Sequence, residues 1–200
     1  IFSAVEGVEP QSETVWHQAD KHRVPKIAFV NKMDRIGADF FGTVRMMADR
    51  LGAHPLITQI PIGAEDRFIG VVDLIRSRGI VWDEHSLGVE FKEISIPEEV
   101  EEEAALYRSR LIESIAELDE SLTEKYLNGE PISESELKGV LRKATVSMRA
   151  VPVFCGAALR NQGIQTLVEA IVDYLPSPLD IPQVEGKHPV TGEREIRTAR

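Results

Sequence analysis

Hydrophobic spacing along the chain changes character twice. Ile1-Phe2-Ser3-Ala4 has the look of the end of a buried strand, which predicts an internal piece of a longer protein rather than a natural N-terminus. Pro10 suits the first turn of a helix, where its missing N–H is no loss, and helix formers run from Gln11 to His22 around Val15, Trp16 and Ala19. Lys26 to Val30 is a short apolar run after Pro25, the mark of a buried parallel strand, and Phe40, Val44, Met47 and Leu51 then recur at helical spacing. The same alternation returns near the far end. Val151 to Phe154 repeats the buried-strand pattern, and Ile164, Leu167, Val168, Ile171 and Leu175 form a helical stripe that Pro176 and Pro178 stop.

Residues between these two stretches follow other periods. Leu56 to Ile62, Phe68 to Ile75, Gly79 to Trp82 and Phe91 to Ile96 predict four strands of a small antiparallel sheet. A long helix follows, with Val100, Ala104, Tyr107, Leu111, Ile115 and Leu118 on one face, then a shorter one from Leu122 to Leu127. Ser133 and Glu136 have the spacing of a capping box, ahead of a third helix buried through Leu137, Val140, Leu141, Ala144 and Met148. The expected architecture is an α/β, mostly parallel doubly wound sheet split by an α+β insert. Its divisions are 1–55, the insert at 56–150, a closing strand and helix at 151–178, and a polar linker without sustained period at 179–200.

Charge narrows the possible roles. The chain has 23 Lys and Arg against 33 Asp and Glu, a formal net charge of −10, which argues against a nucleic-acid-binding surface on this segment itself. Residues 97 to 150 hold 13 acidic and 7 basic side chains, so the insert's helices carry −6 of that excess. The run Glu98, Glu99, Glu101, Glu102 and Glu103 reads first as a solvated face near a helix N-terminus and second as a partner-docking face. Cys155 is the single cysteine, which excludes a disulfide framework and a cysteine-based zinc site and leads us to expect a cytoplasmic location. No apolar run approaches the roughly 20 residues of a membrane span, so no membrane association is expected.

The sharpest chemical signal is Asn31-Lys32-Met33-Asp34, directly after the strand ending at Val30. Loops at the carboxyl ends of parallel strands are where α/β sheets bind ligands. The tetrapeptide resembles the NKxD element of GTPases, and its chemistry suits guanine. Asp34, an acceptor-only carboxylate, takes both the ring N–H and the exocyclic amino group of guanine, whereas adenine presents an acceptor at its ring nitrogen. Lys32 lays its aliphatic stem along the purine face, Asn31 bonds the base and ties neighbouring loops, and Met33 serves as a spacer. Cys155-Gly156-Ala157-Ala158, again after a strand, resembles the last guanine-contacting loop of the same superfamily, usually written Ser-Ala. There the resemblance implies that the Ala158 N–H donates to the guanine oxygen, while Ala157 replaces a serine whose hydroxyl helps to brace the loop.

Ser3-Ala4-Val5-Glu6-Gly7-Val8, Val30-Asn31-Lys32-Met33-Asp34-Arg35 and Leu175-Pro176-Ser177-Pro178-Leu179-Asp180-Ile181-Pro182 extend the likeness, as does an insert between the two guanine loops. Together they resemble the elongation factor G family of translational GTPases across essentially the whole chain. The resemblance implies an incomplete P-loop-type G domain with its inserted subdomain, leading into a β-barrel domain. It also implies GTP and GDP as ligands, Mg²⁺ held by residues outside this segment, and GTP-dependent ribosomal translocation. The implied partners are the ribosome, the ribosomal stalk protein through the insert, and rRNA through other domains. Tetracycline-protection proteins, peptide-release factors, recycling paralogues and a stand-alone interaction module are the alternatives. The chain contains no G-x-x-x-x-G-K-[ST] loop, and the D-x-x-G at Asp34-Arg35-Ile36-Gly37 overlaps the base-reading motif. No catalytic residue is therefore expected here. His17, His22, His54, His85 and His188 show no catalytic context, and the isolated segment is expected to be inactive.

Overall fold

The computed structural model describes residues 1–83, 86, 88–180 and 184–197, so His85, Ile181 and Pro182 lie outside the described residues. In chain order the strands and α-helices are β1 (Phe2–Ser3), α1 (Pro10–Lys21), β2 (Ala28–Asn31), α2 (Phe40–Leu51), β3 (Pro55–Ile57), β4 (Gln59–Ile62), β5 (Gly70–Asp73), β6 (Arg78–Trp82) and β7 (Phe91–Ile94). These are followed by α3 (Glu98–Ala116), α4 (Glu120–Leu127), α5 (Glu134–Val146), β8 (Val151–Cys155), α6 (Ile164–Tyr174), β9 (Val184–Lys187) and β10 (Arg194–Arg197).

The first sheet has the order β1-β2-β8-β3, and all its pairings are parallel. Alternation along each strand decides what covers which face. Ala28 and Val30 of β2, with Val151, Val153 and Cys155 of β8, pack with Trp16 of α1 and Phe40, Val44, Met47 and Leu51 of α2. Phe29 and Phe154 point the other way, into a cluster with Ala170 and Tyr174 of α6 and Leu137, Val140 and Leu141 of α5. Both faces are thus buried, which explains why these strands read as continuous apolar runs. Helix α2 starts where the Asp39 carboxylate accepts the Gly42 N–H at 2.8 Å, and it ends at Gly52, whose φ of 60° is a left-handed C-cap that glycine adopts without strain.

The second sheet is antiparallel, in the order β4-β5-β6-β7. Ile60, Ile62 and Val72 face the cluster that contains Leu111 and Ile115 of α3 and the buried residues of α5. Val71, Ile80 and Trp82 face the cluster shared with α2 and β8. Phe41 of α2 stacks on Tyr107 of α3, with ring centroids 4.7 Å apart, and Trp82 Nε1 donates to Gln165 of α6 at 3.0 Å. The insert is therefore packed into the parallel sheet's core on both sides of its own sheet. Ser133 and Glu136 form the expected capping box at the start of α5: the Ser133 N–H donates to the Glu136 carboxylate at 2.9 Å, and Ser133 Oγ accepts the Glu136 N–H at 3.3 Å.

Several expectations are corrected. Leu56 to Ile62 is two strands in different sheets, β3 pairing with β8 and β4 with β5. The change of partner falls at buried Thr58, whose N–H and Oγ1 both donate to the Val153 carbonyl, at 3.1 and 2.7 Å, while its own carbonyl accepts the Leu74 N–H at 3.0 Å. The Phe68 to Ile75 run contracts to β5, because the Asp73 carboxylate accepts the N–H groups of Ile75 and Arg76 and turns the chain. Met148 lies beyond α5 with a φ of 61°, outside the helical stripe predicted to include it. Residues 179–200, read as a polar linker without sustained period, contain the β9/β10 antiparallel hairpin, closed by the His188 N–H donating to Glu193 O at 2.8 Å. Pairing of backbones there needs no apolar face, so periodicity gave no warning.

Candidate functional site

Register brings the two candidate loops together. Val30 of β2 pairs with Cys155 of β8, so both strands end at the same level and Asn31 emerges beside Gly156. The Gly156 N–H donates to Val30 O at 3.0 Å, and the Met33 N–H donates to Gly156 O at 3.2 Å. A side chain at Gly156 would collide with the Gln162 carbonyl, 2.3 Å from an added Cβ, so the tight closure of the 156–163 loop depends on glycine.

Asn31 Oδ1 accepts the Ala158 N–H at 2.9 Å, joining the two sequence motifs directly. That bond occupies the donor which the family resemblance assigned to the guanine oxygen. Ala157 is buried, and its N–H donates to the Gln162 carbonyl at 3.0 Å, so it acts within the loop rather than at the surface. Its methyl joins the core cluster of Cys155 and Met33, which braces the loop where a serine hydroxyl is absent. Lys32 adopts a φ of 67°, and its ammonium pairs with the Glu6 carboxylate at 3.3 Å.

Asp34 retains only 10% of its side-chain exposure, and its Oδ2 pairs with Arg160 Nε at 3.1 Å. Its other lone pairs remain for a ligand that offers two donors. Val5, Glu6, Asn31, Lys32, Asp34, Arg35, Ile36 and Leu159 line a cleft of about 750 Å³ at this end of the sheet. Ile36 and Leu159, 87% and 85% exposed, present apolar surface at its margin. The cleft thus combines a carboxylate, an amide, a long cationic side chain and apolar contacts, a set suited to a flat heterocycle with adjacent N–H groups. The Cys155 thiol beside it is fully buried, and that burial raises its pKa and keeps it protonated. Among the described residues, no group of three or more His, Cys, Asp or Glu gathers into a metal site.

Sequence reasoning placed Asn31, Lys32, Asp34, Ala157 and Ala158 here, and the structure brings all five to one end of the sheet. It missed Glu6, Leu159 and Arg160, and it read Met33 as a spacer. Met33 is buried, in the apolar cluster that also holds Phe68 and, from the inserted sheet, Val71, Ile80 and Trp82. An apolar residue inside an otherwise polar turn was the one available signal for that anchor.

The family model of the elongation factor Tu GTP binding domain matches residues 1–177. Elongation factor G 2 of Syntrophus aciditrophicus (strain SB) is 54% identical over 199 residues, covering 100% of this chain and 29% of that protein. A crystal structure from Thermus thermophilus superposes with a TM-score of 0.80 at 26% identity, covering 96% of this chain and 29% of the other. The chain spans less than a third of the length of either relative.

Proposed function

The chain belongs to the family of the elongation factor Tu GTP binding domain, and from that premise we propose that it is the guanine-reading part of a G-type translation elongation factor. In this reading the intact protein is a cytoplasmic GTPase that couples GTP hydrolysis to ribosomal translocation. Its phosphate loop and Mg²⁺ ligands come from segments other than this one. The supporting observation is the meeting of Asn31 with Ala158, and of Asp34 with the same cleft, at the carboxyl ends of two paired parallel strands.

Each residue has a distinct part in base selection. Asp34 accepts the ring N–H and the amino group of guanine, and Arg160 orients that carboxylate through its pair with Oδ2. Lys32 covers one face of the purine with its alkyl stem, and Leu159 supplies apolar surface at the margin. Asn31 holds the Ala158 loop against the base. A single N–H can be shared in a three-centre bond, so the Ala158 donor serves both Asn31 Oδ1 and the guanine oxygen. Ala157 shapes the loop without touching the ligand. The proposed divisions are residues 1–55 and 151–178 for the α/β part, 56–150 for the insert and 179–200 for the passage to a following domain, with the first crossing placed at Thr58.

The test uses the full-length protein and two diphosphates that differ by one amino group. Inosine diphosphate should bind roughly 10- to 100-fold more weakly than GDP, the loss of a hydrogen bond to a charged acceptor. Equal affinity would mean that no carboxylate meets the guanine amino group.

A second role rests on the acidic insert. Glu98, Glu99, Glu101, Glu102 and Glu103 are all exposed along the first turns of α3, and they support a contact with the ribosomal stalk protein. Adding residues 56–150 within the intact protein to a labelled stalk C-terminal domain should shift its NMR resonances, and an unshifted spectrum would remove this role.

A further inference from the structure

We propose that Glu65 is a positioning residue for base recognition, through which the inserted sheet holds the loop from Met33 to Gly37 in its base-reading shape. The inference deepens the guanine-binding reading and rests on it. Glu65 follows β4 and opens a short 3₁₀ turn, Glu65–Arg67, before β5. It lies 31 residues beyond Asp34 in sequence, yet it grips both sides of that residue's loop. Its N–H donates to the Met33 carbonyl at 2.9 Å, and its Oε1 accepts the Gly37 N–H at 2.8 Å. Asp34 sits between those two anchor points.

Three further features make this grip specific. Glu65 adopts a φ of 59°, an unfavourable backbone for a residue with a Cβ, and that turn aims its N–H and carboxylate at the same loop. The turn itself is closed by the Phe68 N–H donating to the Glu65 carbonyl at 3.2 Å. The Met33 side chain is buried in the same apolar cluster as Phe68, Val71, Ile80 and Trp82, so the loop shares a core with the insert as well as bonds to it. Arg35 N–H to Lys32 O and Ala38 N–H to Arg35 O are local turns; outside them the loop is held on one side by the Met33 N–H to Gly156 O bond and the Asp34–Arg160 pair, and on the other by Glu65. The β4–β5 connection of the insert is therefore one of the two supports that flank Asp34.

The test follows release of fluorescently labelled GDP from the full-length protein. Glu65→Ala removes the acceptor for Gly37, and Glu65→Gly removes it while accepting the left-handed backbone without strain. Both should release GDP about tenfold faster, the loss of one charge-assisted hydrogen bond. Glu65→Gln keeps an acceptor oxygen and should restore slow release. Wild-type rates in Glu65→Ala and Glu65→Gly would overturn the proposal, as would a Glu65→Gln rate equal to that of Glu65→Ala. Asp34→Asn separates this from failure of the guanine reading. If that variant takes labelled xanthosine diphosphate, adding Glu65→Ala should accelerate its release by the same factor, because the brace acts on the loop and not on base choice. An Asp34→Asn protein that still prefers GDP would defeat the guanine reading, whatever the Glu65 variants do.

Discussion

Asp34 and Arg160 show how the carboxylate proposed to select the base is held at the level of single residues. A bare aspartate at the edge of a cleft would rotate and hydrate freely. Here Arg160 fixes Oδ2 at 3.1 Å while most of the Asp34 side chain is covered. Arg160 itself is 48% exposed in its side chain, so solvent screens the pair and its worth is that of a surface ion pair, ~0.2–1 kcal/mol. Arg160→Ala should accordingly weaken GDP binding no more than about fivefold, with partial recovery in Arg160→Lys, as measured by titration of the full-length protein. The carboxylate was legible in the sequence because Asn31-Lys32-Met33-Asp34 is a compact motif after an apolar run. Arg160 was not, since its role depends on a register between β2 and β8 that only tertiary structure sets.

At the scale of elements, α5 carries a measurable signature of its start. The Glu136 carboxyl pKa is lowered from the usual value of 4.5 to about 2, first by its bond from Lys125 and then by the Ser133 backbone and hydroxyl donors. A group whose folded-state pKa is depressed contributes stability above its unfolded value and loses it as pH falls through the folded value. The stability difference between the wild type and Glu136→Gln should therefore be full above pH 4.5 and shrink as pH falls towards about 2, as followed by urea denaturation. A difference that stays constant across that range would show that the carboxylate is not held in its ionised form. Ser133→Ala tests the other half of the box and should cost ~1 kcal/mol, typical of a lost N-cap. Ser133 and Glu136 could be recognised in advance because capping is local. The division of Leu56 to Ile62 could not, because one apolar run feeds two sheets and the switch at Thr58 is written in hydrogen bonds to Val153 and from Leu74.

For the whole molecule, the insert is built into the α/β core rather than appended to it. One apolar cluster joins Phe29, Leu56 and Phe154 of the parallel sheet with Leu111, Ile115, Leu137 and Leu141 of the insert's helices. Leu141→Ala, at a position with no exposure, should cost ~2–5 kcal/mol and destabilise both parts together. Unfolding of the wild-type protein followed by tryptophan fluorescence and by far-UV circular dichroism should accordingly give coincident denaturant midpoints. Separate midpoints would mean two independent units. The same integration explains why Glu65, in the insert, reaches the loop that carries Asp34. The most direct test of guanine reading is the nucleotide preference of the full-length protein carrying Asp34→Asn. Xanthine has a carbonyl where guanine has its amino group, so an amide that donates in place of a carboxylate that accepts should reverse the preference from GDP to xanthosine diphosphate. A protein that keeps its preference for GDP would contradict the assignment of Asp34 and the site built around it.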